Sequence, residues 1–324
     1  MVVSAMDTLV TAPPHHAISS AGWGRGDLVE LFDHAEWMSR QSRARRAVLA
    51  PHRRIGLCFY QNSTRTRISF EAAACLIGAQ YVGFSDAHTT RAGDFFEESL
   101  EDTIKVLSTY TDLLVLRHVD DDAAQRAARV ADVPIINAGT GESDHPTQGM
   151  LDTWMMLRET GSLAGARVGL VGDPGCRALR AILTCVLKFG PGEVLFLTPE
   201  SVSVPPEEVE QLRGLGVPWA TVDSAAEMAR RADLISMIPF ELPDFHVATA
   251  TEKRSDTLPG RFVFGRRLLE TAGRRVPIFH TGPRGGELPA EVDGLPNIRY
   301  FDGVEHGMYL RAALAHLLME RRAD

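Results

Sequence analysis

Short apolar segments alternate with longer amphipathic segments along most of this chain of 324 residues. Apolar runs of this length are typical of buried strands. They lie at residues 55–60, 81–84, 112–117, 133–138, 167–173, 193–197, 233–238 and 276–280. Apolar residues at helical spacing predict helices within 25–48, 68–76, 98–110, 123–131, 146–160, 177–189, 206–214, 225–231 and 306–321. Because strands and helices alternate repeatedly, the pattern indicates parallel sheets.

The alternation occurs in two series, and the chain is too long for one ordinary hydrophobic core. A long predicted helix separates the two series. It begins with His145-Pro146-Thr147-Gln148, where proline suits the first turn, and runs to about Thr160. We therefore predict an α/β protein with two doubly wound parallel-sheet domains joined by a bridging helix. The expected boundaries are residues 1–146 plus 304–324 for one domain and 147–303 for the other.

Composition narrows the class of protein. The net charge of −8 argues against a general nucleic-acid binder, so an anionic ligand needs a local cationic cluster. The chain contains no run of about 18 uncharged apolar residues, so no membrane span is predicted. The first dozen residues lack the pattern of a secretory signal. The cysteines are scattered without metal-binding spacing. Reduced thiols in a cytoplasmic protein are therefore expected.

The segment Ser63-Thr64-Arg65-Thr66-Arg67 lies where the first predicted strand gives way to a helix. The first turn of a helix presents unpaired N–H groups and a positive dipole end, which together bind phosphate or another small dianion. The Arg65 guanidinium can add a bidentate contact. The segment therefore predicts an anion site. The alternative is an ordinary Ser/Thr cap beside surface arginines.

Ligands of open parallel sheets bind beyond the carboxyl ends of the strands. Those ends supply arginines, hydroxyls, an amide and imidazoles, at residues 63–67, 117–118, 145–148, 177, 239–241 and 280–284. Such a set suits an anion that bears a carbonyl, and it lacks the grouping of a metal site. Residues 169–175 have G-x-x-G-x-x-G spacing interrupted by Pro174, which favours a tight strand-to-helix turn over a nicotinamide-cofactor site.

Three motifs together resemble the aspartate/ornithine carbamoyltransferase family: 63–67, 117–118 and 145–148, at the separations typical of that family. The resemblance extends from about residue 18 to residue 320. It is closer to the aspartate branch, on the segments 83–86, 108–110, 171–173 and 280–284. The His-Cys-Leu-Pro motif of the ornithine branch is absent, since the corresponding segment is His280-Thr281-Gly282-Pro283.

This resemblance implies carbamoyl phosphate as donor, a trimer with active sites shared between neighbours, and no cofactor or metal. The first domain would bind carbamoyl phosphate and the second the acceptor. The residues implied for the donor are Ser63, Thr64, Arg65, Thr66, Arg117, His145, Gln148, Gly282 and Pro283. Arg65, Arg117 and His145 would be catalytic, because they polarise the carbonyl and stabilise charge in the tetrahedral intermediate.

The loop at 85–97 departs from the aspartate branch. That branch inserts a lysine from a neighbouring subunit, whereas this loop contains none. Phe96 takes the aligned position, and Arg91 is the only cation of the loop, although arginine and lysine are not interchangeable. Two interpretations stay open: Phe95 and Phe96 shape the acceptor pocket, or they pack beneath the loop.

Further residues on the predicted acceptor side differ from those of the aspartate branch. Pro239 and Glu241 take the positions of an arginine and a glutamine that contact the acceptor's side-chain carboxylate in the aspartate branch. Gln61 replaces a glutamate that pairs with arginines in the closed state. Arg177 aligns with the arginine that binds the α-carboxylate, the alternative being a surface arginine at a helix start. Glu241 would repel a desolvated carboxylate.

We therefore expect a carbamoyltransferase that uses an amine acceptor, an amino acid other than aspartate. One alternative is the housekeeping aspartate carbamoyltransferase of pyrimidine synthesis. Another is a catalytically silent homologue that only binds anions or partners. The sequence leaves open the identity of the acceptor, the presence of regulatory chains and the role of Arg91.

Overall fold

The computed structural model describes residues 15–87, 90, 98–200, 202–240 and 258–323. Its helices are α1 (Arg25–Arg40), α2 (Arg43–Arg46), α3 (Thr64–Leu76), α4 (Leu100–Ser108), α5 (Ala123–Val130), α6 (Pro146–Thr160), α7 (Arg177–Leu187), α8 (Pro206–Gly214), α9 (Ala225–Arg231), α10 (Arg266–Thr271) and α11 (Tyr300–Ala323). Its strands are β1 (Arg54–Phe59), β2 (Gln80–Phe84), β3 (Leu113–His118), β4 (Ile135–Thr140), β5 (Arg167–Val171), β6 (Glu193–Leu197), β7 (Trp219–Thr221), β8 (Leu234–Met237) and β9 (Ile278–His280).

The first sheet has the order β2-β1-β3-β4, and all its strand pairs are parallel. Most residues of the central strands β1 and β3 are buried, as expected for a parallel sheet with helices on both faces. The strand order reverses between β1 and β3. Their carboxyl ends therefore flank the crevice where ligands of such sheets bind.

The second sheet has the order β7-β6-β5-β8-β9 and is also entirely parallel. Its strand order reverses between β5 and β8, which creates a second crevice of the same kind. The two sheets confirm the predicted α/β architecture. The predicted acceptor residue Arg177 begins α7, directly after β5, and Pro239 follows β8.

Helix α6 connects the last strand of the first sheet with the first strand of the second. It packs against α7, and α11 packs against α1, α3 and α6. We propose the division into residues 1–146 plus 304–324 and 147–303, which assigns most of α11 to the first unit, where its partners α1 and α3 lie. No helix in the described ranges is long and apolar enough to span a membrane.

The sequence pattern missed β7 and misplaced the ends of α11 and β4. Strand β7 is short and lies at the edge of its sheet, where Trp219 is 38% exposed. Because an exposed edge strand does not need an apolar run, the sequence gives no strand signal there. Helix α11 begins at Tyr300, earlier than the predicted 306, because exposed residues such as Phe301 and Val304 obscure its helical spacing. Strand β4 ends at Thr140, later than the predicted 138, since glycine gives no apolar signal there.

Gly149 sets the distance between α6 and α7, and this contact predicts a substitution effect. A Cβ built at Gly149 would lie 2.6 Å from the carbonyl carbon of Ala181, which belongs to the α7 backbone. We expect Gly149→Ala to lower the free energy of unfolding by about 1–3 kcal/mol, because the overpacking cost exceeds the helix-propensity gain.

Gly26→Ala is the matched control, because a Cβ at that exposed α1 position meets nothing within 4 Å. Chemical denaturation should show this variant at or slightly above wild-type stability. Equal stability losses in the two variants would contradict the packing role of Gly149.

Candidate active site

A cavity of about 1110 Å³ lies at the carboxyl ends of both sheets. It is lined by the described residues that the family resemblance assigned to the donor and acceptor sides: Gln61, Ser63, Thr64, Arg65, Thr66, Arg117, His145, Gln148, Arg177, Pro239, Gly282 and Pro283. Arg67, His118 and Arg284, which belong to the predicted strand-end segments, do not line it. The structure thus brings both crevices into one cavity. The predicted acceptor residues Arg91, Phe96 and Glu241 lie outside the described residues.

The anion end of the cavity lies at the start of α3. Ser63 occupies the N-cap position in extended conformation, but its side chain makes no capping hydrogen bond. Ser63 therefore does not act as an ordinary side-chain cap of α3. Arg65 lies in the first turn, close to the loop after β9: a Cβ built at Gly282 would be 3.2 Å from its Cζ.

Three further side chains converge on Gly139 of β4. A Cβ at this glycine would lie 2.8 Å from Arg117 Nη1, 3.3 Å from Arg177 Cζ and 3.4 Å from His145 Cδ2. The backbone also has a φ of 105° there, a conformation that favours glycine. Both facts exclude a larger residue, so a single glycine permits the close approach of Arg117, Arg177 and His145.

Backbone carbonyls hold the two guanidinium groups. Arg117 Nη1 donates to the carbonyl oxygen of Ala138 at 2.9 Å, and Arg177 Nη1 donates to the carbonyl of Gly141. Arg177 also contacts Gln61 Oε1 at 3.5 Å. Arg117 Nε is buried and has no hydrogen-bond partner in the described part of the chain. Backbone carbonyls therefore help to orient both guanidinium groups.

Burial lowers the pKa values of Arg117, Arg177 and His145, and nearby positive charges lower those of Arg117 and His145 further. Burial, followed by the charges of Arg177 and Arg65, lowers the pKa of Arg117 to about 9. Burial lowers the pKa of Arg177 as well. Burial, followed by the charges of Arg117 and Arg177, holds the pKa of His145 well below its usual value. At neutral pH the arginines are charged and the imidazole is neutral.

A buried pair fixes the loop after β9. The backbone N–H of Gly282 donates to His280 Nδ1 at 2.8 Å, so the remaining ring proton lies on Nε2. That nitrogen donates to Glu287 Oε1 at 3.0 Å. Burial lowers the pKa of His280, which keeps the ring neutral. This arrangement places Gly282 and Pro283 at the cavity wall.

The sequence analysis missed two buried charged residues of the cavity, Arg311 and Asp152. Arg311 lies on α11, only 5% exposed, and burial lowers the pKa of its guanidinium to about 10. Asp152 lies on α6, equally buried, and accepts a hydrogen bond from Gln148 Nε2 at 2.6 Å. Each is a charged residue among apolar helix neighbours, and that pattern was the available signal.

Comparison with known proteins identifies the fold and the family. Residues 15–158 match the model of the aspartate/ornithine carbamoyltransferase carbamoyl-P binding domain. Residues 164–318 match the model of the Asp/Orn binding domain of the same family. Together the two models account for almost all described residues.

Individual proteins of the same family are similar to this chain in sequence and structure. The chain is 34% identical to the aspartate carbamoyltransferase catalytic subunit of Pyrobaculum neutrophilum, over 94% of this chain and 97% of that one. It superimposes with a TM-score of 0.84 on the catalytic subunit of Methanocaldococcus jannaschii aspartate transcarbamoylase, at 29% identity over 95% and 98% of the two chains.

A structure from Trypanosoma cruzi gives a similar result. Aspartate transcarbamoylase in complex with aspartate and phosphate superimposes with a TM-score of 0.82, at 28% identity over 93% of this chain and 94% of that one. Because two family models together span most of the sequence, the chain belongs to the aspartate/ornithine carbamoyltransferase family.

Proposed function

We propose that the protein transfers the carbamoyl group of carbamoyl phosphate to the amino group of an α-amino acid. The observation that supports this most strongly is the convergence of Arg65, Arg117, Arg177 and Arg311 with a neutral His145 on one cavity. Guanidinium groups suit phosphate and carboxylate oxygens. A neutral imidazole can donate a hydrogen bond to a carbonyl without adding a further positive charge.

The proposed reaction needs no group beyond the substrates. The acceptor amine, as its free base, attacks the carbamoyl carbon and forms a C–N bond. The C–O bond to phosphate then breaks, and the departing phosphate takes the proton that the nitrogen loses. Arg65, Arg117 and His145 stabilise the negative charge that develops on the carbonyl oxygen. Binding both substrates in one cavity supplies the orientation.

In this proposal, the start of α3 holds the phosphate. Ser63, Thr64 and Thr66 offer hydroxyls and helix N–H groups, and Arg65 adds its guanidinium. Gln148, Gly282 and Pro283 contact the carbamoyl group. Arg177, at the start of α7, binds the acceptor's α-carboxylate. The phosphate is thus held by the first sheet and the acceptor by the second, while the carbamoyl group between them contacts residues of both.

The relatives support aspartate as the acceptor, since they are aspartate carbamoyltransferases and one binds aspartate with phosphate. A second candidate is an amino acid without a side-chain carboxylate. It is supported by Pro239, which lines the cavity after β8 and has no N–H or cationic group to offer a carboxylate. The other positions on which that prediction depends, Phe96 and Glu241, lie outside the described residues.

A substrate panel tests this function. Phosphate release from carbamoyl phosphate should be measured with aspartate, alanine, serine, ornithine and 2,3-diaminopropionate in turn. We expect turnover with at least one α-amino acid and none with the matching amine that lacks the α-carboxylate. Robust turnover with aspartate alone would exclude the second candidate. Binding of a donor phosphonate without turnover on any acceptor would contradict the enzyme assignment and favour a silent homologue.

Gly139→Ala tests the convergence of the cationic side chains. Because the added methyl enters the space of Arg117, Arg177 and His145, we expect calorimetry to show binding of phosphonoacetamide weakened by at least about tenfold, the scale of one lost charge-assisted hydrogen bond.

Gly161→Ala is the matched control. Gly161 has a φ of 76°, so the backbone strain of alanine is similar in kind, but a Cβ there meets nothing within 4 Å. We expect that variant to lose some stability and to keep wild-type affinity. Unchanged affinity in Gly139→Ala would refute the assigned cluster.

We also infer that the protein is a homotrimer with shared sites. An exposed apolar surface supports this: Val82 and Tyr81 on the edge strand β2 are 42% and 43% exposed, and Ile68 on α3 is 56% exposed. Exposed apolar edges of this kind mark interfaces. Light scattering should give the mass of three chains, and Val82→Asp should reduce it.

Val106→Asp is the matched control for the assembly. Val106 is 45% exposed on α4, away from the β2 edge, so the same change of residue type should leave the trimer intact. A monomer in the wild type, or equal dissociation in both variants, would contradict the inferred interface.

A further inference from the structure

Asp152 is a buried acid in a cavity that several arginines line, and its two carboxylate oxygens have separate partners. Gln148 Nε2 donates to Oδ1 at 2.6 Å, from one turn earlier on α6. Ser236 Oγ donates to Oδ2 at 2.6 Å, from strand β8 of the second sheet. Asp152 is only 5% exposed, and Ser236 is fully buried. The carboxylate is therefore held between the two halves of the molecule.

The charge state of Asp152 follows from its surroundings. Burial raises the pKa of this carboxyl to about 6, while the hydrogen bonds from Ser236 and Gln148 and the charge of Arg311 act in the opposite direction. The group is thus ionised at neutral pH. An ionised carboxylate only accepts hydrogen bonds.

This determines the orientation of the Gln148 amide. Because Asp152 cannot donate, Gln148 has to turn its NH₂ group toward it, and the amide oxygen Oε1 then points to the opposite side. Gln148 lines the cavity, and in the described ranges its Oε1 accepts no hydrogen bond. The oxygen is left available as an acceptor for a ligand N–H.

We propose that Asp152 is a positioning residue that fixes the Gln148 amide with its oxygen toward the donor, so that the site selects a donor whose carbonyl carries an NH₂ group. The inference rests on the proposed function and deepens it. It explains how a cavity built for anions could distinguish carbamoyl phosphate from an acyl phosphate of the same charge and shape. A methyl group in place of NH₂ leaves Oε1 without a partner, which costs affinity.

Two phosphonates isolate this preference. Phosphonoacetamide carries a carbonyl with NH₂, and 2-oxopropylphosphonate carries the same carbonyl with a methyl group at equal charge. We expect calorimetry on the wild type to show that the amide binds about three- to tenfold more tightly, the range of one neutral hydrogen bond. In Asp152→Asn either atom of the new amide can face Gln148, so the orientation is no longer fixed and the ratio should fall by at least half.

Thr153→Val is the matched control, because Thr153 is the next residue of α6, is fully buried, and its hydroxyl has no partner among the described residues. The ratio should stay at the wild-type value in that variant. Since both phosphonates have the same charge, the loss of the Asp152 charge affects both alike and cancels in the ratio. A lower melting temperature with an unchanged ratio would show that Asp152 is merely structural and would overturn the inference.

The wild type alone can also refute the proposal, should Asp152→Asn fail to fold. Equal affinity for the two phosphonates, together with turnover of carbamoyl phosphate, would overturn the selection by Gln148 while leaving the proposed function intact. Failure of both phosphonates and of carbamoyl phosphate to bind would overturn the proposed function and this inference together.

Discussion

Burial of guanidinium groups, reinforced at Arg117 by repulsion from Arg177 and Arg65, is the constraint on which the candidate active site depends. Arg117 is 5% exposed, and both burial and the charges of Arg177 and Arg65 oppose its protonated form. The proposed dianionic donor would offset this repulsion on binding, so the fold already carries an energetic cost that such a ligand relieves. Backbone carbonyls offset part of this cost, because Ala138 and Gly141 accept hydrogen bonds from Arg117 and Arg177.

Those carbonyls come from an irregular segment at the end of β4. Gly139 and Gly141 have φ values of 105° and 47°, and the chain turns there from a buried strand toward α6. The same segment brings His145 to the N-cap of α6. One short stretch of backbone therefore positions two arginines and an imidazole that come from distant parts of the sequence.

Much of the fold and part of the candidate site were predictable from the sequence, for physical reasons. Buried parallel strands are apolar on both faces, so β1, β3 and β6 stand out in the sequence, and polar residues directly after them have to lie at a sheet edge. The convergence of Arg117, Arg177 and His145 was not predictable from periodicity, since it depends on which strands are neighbours. Arg311 was missed because a buried charge in an apolar helix resembles a surface residue until the partner helices are known.

The pKa shifts of Asp152, Arg117 and His145 set the pH range in which these three groups keep one charge state. Asp152, with a pKa of about 6, is ionised above that pH, and Arg117, with a pKa of about 9, is protonated below that value. His145 stays neutral throughout this window, because burial and the neighbouring guanidinium groups hold its pKa well below the usual value. Between these limits the arginines provide the charge, the imidazole provides a hydrogen bond, and neither role depends on a proton that could be lost near neutral pH. If the arginines bind the phosphate of the donor and His145 its carbonyl, as proposed, both contacts therefore persist across the range in which an amine acceptor begins to supply its free base.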